Sequence, residues 1–241
     1  MASSVFISDL HLAADRPQST QTLLDFLADR ARRADQLFIL GDLFEYWVGD
    51  EALGDPLPAQ VASALREVAS NGTAVSYMHG NRDFLIGEQF ARAAGLRLLP
   101  DPFMVKLYGV PTLLMHGDTL CTGDTEYQEF RKVVRNPVWQ SEFLAKPLAE
   151  RKKLAEAVRA ESEQAKQVKS MSIMDVSVDA VEAVFREHGY PRLIHGHTHR
   201  PATHHHVVDG QRCERIVLAD WYHAGSYLQC DIDGCSTIAI N

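Results

Sequence analysis

The chain has 241 residues, of which 46% are hydrophobic, so it can form one large domain with a substantial core, or one domain with a sizeable insertion. Its net charge of −8 argues against general nucleic-acid binding through a basic surface. No apolar stretch approaches the roughly 20 residues that span a bilayer, and the first residues lack the basic and apolar regions of an export signal. We therefore expect no nucleic-acid partner, no export signal and no membrane-spanning segment.

Residues 1–120 alternate between strand-like and helix-like segments, which predicts a parallel or mixed sheet with helices on both faces. The helices predicted in this part cover 20–34, 58–69 and 87–94. The C-terminal part contains four strand-like segments around two Asp-Gly turns, at 203–208, 214–219, 226–232 and 236–240. We predict that these four segments form a second sheet, so that the chain is an α/β sandwich.

The 78 residues between His116 and His195 are too many for a connecting loop. Within them, residues 124–170 have apolar side chains at helical spacing, and Pro147 marks the start of a long helix. A helical excursion between two strand ends must lie above the edge where those strands end. We therefore predict a single domain over 1–241 with a helical cap at about 124–170 that selects the substrate.

The cysteines give no sign of a metal site or of a disulfide framework. The four of them form no CxxC pair and have no regular spacing; they are Cys121, Cys213, Cys230 and Cys235. We therefore expect reduced thiols, as in a cytosolic protein.

Several predicted strands end in residues that can bind a metal ion. Seven such side chains follow five apolar runs and are Asp9, His11, Asp42, Asn81, His116, His197 and His199. In an open α/β sheet, ligands bind just beyond the carboxyl ends of the strands. One histidine near a strand end is more often structural, but the whole set favours a metal site. Oxygen and nitrogen ligands without thiolate suit Mn²⁺, Fe²⁺ or Zn²⁺, and two such ions can clamp a phosphoryl oxygen and activate water.

Five motifs occur in a fixed order: DLH at 9–11, GDLFEYW at 41–47, GNRDF at 80–84, HGD at 116–118 and GHTHRP at 196–201. Together they resemble the calcineurin-like metallophosphoesterase superfamily and, within it, the UDP-2,3-diacylglucosamine pyrophosphatases. The resemblance implies two mixed β-sheets flanked by helices, with a helical cap. It also implies two Mn²⁺ ions per subunit. The first would be bound by Asp9, His11, Asp42 and His199, and the second by Asp42, Asn81, His116 and His197.

The same resemblance implies hydrolysis of UDP-2,3-diacylglucosamine to UMP and 2,3-diacylglucosamine 1-phosphate (lipid X), a step of lipid A biosynthesis. Its implied catalytic residues are Asn81, Arg82 and His197. Its implied substrate contacts are Asn81, Arg82, Asp124, Ser162, Lys166, Lys169 and His197. The family further implies a peripheral contact with membrane lipid on the cytoplasmic side of the inner membrane, and we expect a monomer.

Arg82 itself favours a phosphoanhydride substrate. Many relatives with this fold have histidine after Gly-Asn, and a histidine can protonate a poor leaving group. Arg82 cannot act as such an acid because a guanidinium is not deprotonated in proteins, but it can stabilise charge through a bidentate contact with phosphate. A phosphoanhydride, which would expel UMP, needs no proton on its leaving group. The alternative is a surface arginine without a role.

The predicted cap contains aromatic residues that suit a lipid. These residues are Tyr127, Phe130, Trp139 and Phe143. We predict that they line an apolar chamber together with Trp47 and Phe84. Ordinary packing of the helices against the body is an equal alternative for each of them. Three basic residues, Lys152, Lys153 and Arg159, either face anionic lipid headgroups or form a solvated helix face. The tract at 204–206 contains three histidines, but alternate strand side chains face opposite ways, so we expect a solvated strand.

Two other functions remain as alternatives. The first is another hydrolase on the same scaffold, such as a nucleotide pyrophosphatase or a phosphodiesterase, although a small nucleotide needs no apolar chamber. The second is a scaffold protein that has lost catalysis. Such proteins typically lose metal ligands, and here no expected ligand is missing.

Overall fold

The computed structural model describes residues 2–168, 175–222 and 225–240, and the side chains of 161–168 lie outside this description. The strands are β1 (Ser4–Ile7), β2 (Gln36–Leu40), β3 (Ala74–Met78), β4 (Arg97–Leu99), β5 (Phe103–Leu107), β6 (Val110–Met115), β7 (Arg192–His195), β8 (Ala202–Val208), β9 (Gln211–Val217), β10 (Ser226–Asp231) and β11 (Gly234–Ala239). The helices are α1 (Pro17–Asp29), α2 (Pro56–Ser70), α3 (Glu88–Ala94), α4 (Thr125–Val134), α5 (Pro137–Leu144), α6 (Leu148–Val168) and α7 (Val178–Glu187).

The strands form two mixed sheets. The first has the order β11-β10-β1-β2-β3-β4, in which β1 to β4 run parallel and the β10–β11 hairpin pairs antiparallel with β1. The second has the order β5-β6-β7-β9-β8, with β6, β7 and β9 parallel. The α/β sandwich predicted from the sequence is therefore confirmed.

The prediction that the four C-terminal strands form the second sheet by themselves is wrong. Strands β8 and β9 extend the second sheet, but β10 and β11 form the edge of the first. The sequence shows each strand through its own alternation of side chains, but it does not show which strand lies beside it. The three N-terminal helices agree with prediction, except that α1 starts at Pro17 and ends at Asp29, before a 3₁₀ turn at Ala31–Arg33.

Three apolar clusters hold the layers together. The cluster between the sheets includes Phe6, Leu40, Met78, Leu114 and Ile194, which come from strands of both sheets. A second cluster packs α1, α2 and α3 on the outer face of the first sheet. A third packs α7 on the outer face of the second. Because both sheets are buried on both faces, their parallel strands have continuous apolar runs rather than alternating ones.

The stretch 124–170 contains α4, α5 and α6, as its apolar spacing predicts. The long helix α6 is attached to the body by charged pairs. Arg151 is 2% exposed, and its guanidinium contacts Glu51 at 2.8 Å and the carbonyl of Val48. Lys152 contacts Asp55 at 2.6 Å. In the described part of the chain, no helix has both the length and the apolar character needed to cross a bilayer.

The prediction of four reduced cysteines is wrong for one pair. Cys230 and Cys235 form a disulfide, whereas Cys121 and Cys213 are free and buried. The bonded residues lie directly opposite each other in the antiparallel β10–β11 pair. A hairpin around the Asp233-Gly234 turn brings them together, so the pairing depends on strand register and not on a cysteine motif.

Candidate active site

The predicted metal ligands meet at one edge of the sandwich. Five strands each end one to three positions before a predicted ligand, and these strands are β1, β2, β3, β6 and β7. Because the core places the carboxyl ends of both sheets side by side, side chains far apart in sequence become neighbours. Asp9 and His199 provide one example, with Oδ1 and Nε2 at 3.4 Å.

The backbone at these strand ends is unusual. Left-handed φ angles between 49° and 67° occur at five of the seven predicted ligands, namely Asp9, His11, Asp42, His197 and His199. Residues other than glycine rarely adopt such angles, and their energetic cost is accepted mainly at functional sites. The backbone therefore marks this edge as a site independently of the side-chain types.

The ligand atoms form two groups, and the atoms within each group lie within 4.8 Å of one another. One group is Asp9, His11 and His199, and the other is Asp9, Asp42 and His116. In the first, the Nε2 atoms of His11 and His199 are 3.2 Å apart. Asp9 belongs to both groups. Asp42 belongs to the second but also lies near the first, with Oδ2 3.8 Å from His11 Nε2 and Oδ1 3.9 Å from His116 Nε2. Its two oxygens therefore face opposite halves of the site, as a bridging carboxylate requires.

Asn81 completes the second half of the site. Its Oδ1 lies 2.9 Å from His116 Nε2 and 2.8 Å from His197 Nδ1. The Nδ1 atom of His116 lies 2.8 Å from the carbonyl of Leu40, which fixes the ring and directs Nε2 into the site. The structure therefore brings all seven predicted ligands together in two adjoining groups.

Burial and close packing at this edge suit a cation. Asp9 Oδ1 is buried and accepts no hydrogen bond from the described residues. A Cβ atom on Gly80 would lie 2.0 Å from Asp42 Oδ1, and one on Gly196 would lie 2.3 Å from Asp9 Oδ2. Both glycines therefore leave the space that the two carboxylates occupy. Oxygen and imidazole ligands of this kind fit a divalent transition metal.

The electrostatics of the cluster agree with that fit. Burial, helped by nearby Asp83 and Asp9, raises the pKa of Asp42 to about 7 despite the opposing effect of His116. Burial lowers the pKa of His116, but nearby carboxylates, Asp42 first, outweigh it and raise the pKa to about 9. The His116 shift shows that the buried carboxylates of the cluster favour a positive charge at this position. Burial and His116 lower the pKa of His197 to about 3, which keeps this imidazole neutral, as a metal ligand must be.

Asp83 and Asp118 are buried beside the predicted ligands and form hydrogen bonds that hold the surrounding segments together. The two Asp83 oxygens accept backbone hydrogen bonds from Asp42, Leu43 and Phe44, and from Gly80. They hold together the turns that follow β2 and β3. Asp118 Oδ2 accepts hydrogen bonds from the cap residues Tyr127 at 2.5 Å and Arg131 at 2.7 Å.

A carboxylate that sequence reasoning missed organises the arginines of the site. Glu45 is 3% exposed and contacts Arg16 through Oε2. Its Oε1 lies 3.2 Å from Arg159 Nε and 3.8 Å from Arg82 Nη1. Glu45 lies within the GDLFEYW motif, but its partners come from a distant loop and from the cap, so no local pattern indicates the cluster.

Two of the three basic residues considered for contact with lipid headgroups pair with carboxylates of the protein. Lys152 pairs with Asp55 and Arg159 with Glu45, so both contact the body of the protein. Only Lys153 remains as an exposed member of that predicted patch. The histidines at 204–206 alternate between the faces of β8, as predicted: His204 and His206 share one face and are half-buried, whereas His205 is exposed.

The cap aromatics have different positions. The Tyr127 ring lies 6.0 Å from that of His197, and Trp139 stacks on Phe143 at 5.0 Å with Phe84 6.4 Å away. Phe130 is 42% exposed. Trp47, predicted as a chamber residue, is instead 4% exposed and packs against Phe44 and Phe90 in the main core.

Only some of the residues that the resemblance implies as substrate contacts have side chains that the structure describes. Arg82 lies at the edge of the sandwich that carries the seven predicted ligands, which we call the metal edge. Its backbone N–H donates to Asp42 Oδ1 at 2.8 Å. Asp124 caps α4 by accepting a hydrogen bond from the Tyr127 backbone at 3.1 Å. Ser162, Lys166 and Lys169 lie outside the residues whose side chains are described.

Comparison with known proteins agrees with this geometry. The family model of the calcineurin-like phosphoesterases matches residues 3–201. A UDP-2,3-diacylglucosamine hydrolase from Aromatoleum aromaticum is 55% identical over 229 residues, covering 95% of this chain and 93% of that protein. The Pseudomonas paraeruginosa protein of that name is 53% identical and covers 96% of each chain. The Xanthomonas oryzae pv. oryzae protein is 52% identical and covers 97% of each.

These similarities extend over nearly the whole chain, cap included, and they confirm the family that the motifs indicate. The chain therefore belongs to the calcineurin-like phosphoesterases and, within them, to the family of the UDP-2,3-diacylglucosamine hydrolases.

Proposed function

We propose that this protein hydrolyses the pyrophosphate bond of UDP-2,3-diacylglucosamine, giving UMP and 2,3-diacylglucosamine 1-phosphate for lipid A biosynthesis. The names of its relatives support this substrate. The observation that carries the reaction is the position of Arg82, whose backbone N–H donates to Asp42 Oδ1 and whose guanidinium lies 3.8 Å from Glu45. A site that offers charge stabilisation and no imidazole acid at this position suits a phosphoanhydride.

We further propose that the two ligand groups bind two Mn²⁺ ions. Asp9, His11, Asp42 and His199 would bind one ion, and Asp42, Asn81, His116 and His197 the other. When bound, such a pair supplies Lewis-acid stabilisation of the phosphoryl group and an activated water. The split of Asp42 oxygens between the two groups supports its role as the shared ligand.

The protein side chains then position the diphosphate. Asn81 and His197 contact each other at 2.8 Å, and we propose that both also contact the phosphoryl group. Arg82, whose side chain is 11% exposed, is held near Glu45 and contributes guanidinium donors to phosphate oxygens. Burial of these groups strengthens each charged interaction, because little water screens it.

We propose that the cap binds the acyl chains. Trp139 and Phe143 of α5 stack on each other, and Phe84 from the loop after β3 lies 6.4 Å from Trp139. The ring of Tyr127 lies 6.0 Å from that of His197 at the metal edge. Asp124, Ser162, Lys166 and Lys169 remain proposed contacts for the polar part of the substrate.

Each of the three cap helices carries exposed apolar side chains. Val133, Val138, Leu154 and Val158 are between 41% and 65% exposed. We propose that such side chains make a peripheral contact with the cytoplasmic leaflet of the inner membrane, with the protein acting as a monomer.

The proposal is tested by assaying the purified protein with Mn²⁺ on UDP-2,3-diacylglucosamine, UDP-glucose and a nitrophenyl phosphodiester. We expect fast release of UMP from the first substrate only. Comparable rates on all three would instead support a general phosphodiesterase on this scaffold.

A further inference from the structure

A cavity of about 240 Å³ lies on the outer face of the second sheet, outside the metal edge. Arg215 of β9 and His204 of β8 are register partners and line it, together with Thr198 from the loop between His197 and His199. Arg200 and Asp175 complete its charged lining. The proposed hydrolysis uses none of these five side chains.

Arg215 is a buried cation without a carboxylate partner among the described residues. It is 7% exposed, and its guanidinium donates to two imidazole nitrogens instead: His195 Nε2 at 3.1 Å and His206 Nε2 at 3.4 Å. Neutral imidazoles accept hydrogen bonds but do not neutralise the charge. Buried charges are normally paired, because removal from water is costly. Burial also lowers the pKa of Arg215, despite the opposing effect of the nearby Asp175 carboxylate.

A second group in the same cavity has an unused hydrogen bond. The Oγ1 atom of Thr198 is buried and has no hydrogen-bond partner in the described part of the chain. A hydroxyl can donate to an oxyanion as well as accept. The remaining charges of the lining largely cancel, because Arg200 pairs with Asp175. Among the described side chains of the lining, two arginines and one aspartate therefore leave one positive charge.

We propose that this cavity binds a small oxyanion of the phosphate class through the guanidinium of Arg215 and the hydroxyl of Thr198. The class follows from the donors: a guanidinium fork matches two oxygens of a tetrahedral anion, and the hydroxyl matches a third. The source is either the free ion or the phosphate of a small monoester, since both present the same oxygens.

The site is linked to the metal edge through His195. Because Arg215 donates to Nε2 of His195, the proton of this neutral imidazole lies on Nδ1 and is donated to the Gly196 carbonyl at 2.8 Å. Gly196 precedes His197, and Thr198 lies between His197 and His199. An anion on Arg215 and Thr198 would therefore contact the same loop that carries two proposed metal ligands.

The test is titration of the Mn²⁺-loaded protein with inorganic phosphate by calorimetry, and crystals soaked in phosphate. We expect two binding events, with phosphate density in the cavity as well as at the metal edge. Arg215→Gln should weaken the cavity event at least tenfold, and Thr198→Val several-fold. Arg212→Gln, an exposed arginine on the same strand, is the matched control and should change neither event.

Methyl phosphate in parallel separates the two sources: tighter binding than phosphate assigns a monoester, and weaker binding assigns the free ion. If Arg215→Gln does not fold, Thr198→Val and the soaked wild-type crystals still decide the question. A cavity without anion density, or a cavity event unchanged in Thr198→Val and Arg215→Gln, would overturn the proposal. Neither result bears on the hydrolase activity, which is measured separately.

Discussion

The Nε atom of Arg159, in the cap helix α6, lies 3.2 Å from Oε1 of Glu45, in the body of the protein. Arg82 and Arg16 contact the same carboxylate, so one buried negative charge meets three guanidinium groups. Arg16 also lies 3.9 Å from Asp15. Glu45 Oε2 lies 3.9 Å from Nδ1 of the proposed metal ligand His11, so the three guanidinium groups cluster beside the metal edge. Guanidinium groups complement phosphate oxygens, and Arg159 joins the cap to this cluster.

Replacement of Glu45 by Gln tests this cluster, because it keeps the shape and removes the charge. Hydrogen bonds to charged groups contribute about 1.5–3 kcal/mol, so we expect the free energy of unfolding to fall by about that amount. With Arg82 less firmly held, kcat/KM should fall about tenfold. Urea denaturation and steady-state kinetics measure the two effects.

Glu51→Gln is the matched control. Glu51 pairs with Arg151 of the same cap helix, but its side chain is 57% exposed and contacts none of the arginines around Glu45. We expect nearly wild-type kinetics from it. If Glu45→Gln also turned over at the wild-type rate, Glu45 would have only a structural role.

Metal removal tests the cofactor. The described residues offer two groups of candidate metal ligands at one edge, and we expect exhaustive chelation to abolish hydrolysis. Mn²⁺ should restore it more effectively than Ca²⁺, because the imidazole ligands disfavour calcium. Turnover that persisted in protein shown by metal analysis to be metal-free would disprove the metal-dependent mechanism.

Asp42→Ala should cause the largest loss among single ligand substitutions. Its oxygens face His11 and His116 in the two halves of the site, so its removal weakens both halves. We expect less than half of the wild-type metal content and no measurable turnover. His199→Ala, which affects one half, is the comparison, and an Asp42→Ala variant with the milder defect would show that Asp42 is not shared.

Arg82→Ala should lower kcat by about two to three orders of magnitude, because one charge-stabilising donor in an active site contributes ~2.7–4 kcal/mol. Metal content should be unchanged, since the Arg82 side chain is not among the metal ligands. Arg92→Ala, an exposed arginine on α3, serves as the control. Arg82→His should not improve anhydride hydrolysis. Near-native rates in Arg82→Ala would make Arg82 a surface residue.

The metal edge could be predicted from sequence because each ligand directly follows an apolar run. Strand ends are visible locally, and the fold brings parallel strand ends together without further information. Arg16, Glu45 and Arg159 could not be predicted as a cluster. They are separated by 29 and 114 residues, and charged residues on loops and helix surfaces are usually solvated.

Two of the errors concern strand pairing. The hairpin β10–β11 joins β1 rather than β9, and its register brings Cys230 opposite Cys235. A third error concerns Trp47, which the sequence analysis predicts to line the substrate chamber. The structure turns its ring into the core against Phe90 at 5.0 Å, which depends on the packing of α3.

The cap should decide which substrate binds, whereas the metal edge decides the chemistry. Trp139 and Phe143 stack on each other and are only half-buried, so their rings can still contact an acyl chain. Burial of one CH₂ contributes about 0.8 kcal/mol. We therefore expect Trp139→Ser and Phe143→Ser to raise KM for the diacylated substrate at least tenfold, as measured by UMP release.

The same variants should hydrolyse a small nitrophenyl phosphodiester at nearly the wild-type rate, because that substrate has no acyl chain. Val178→Ser, at a 64% exposed position on α7 outside the cap, controls for the loss of an apolar side chain. Phe130 is 42% exposed, and its replacement should have a smaller effect unless the chains follow α4. Equal losses on both substrates would show that Trp139 and Phe143 stabilise the fold. A crystal structure with product would then show the acyl chains away from α5.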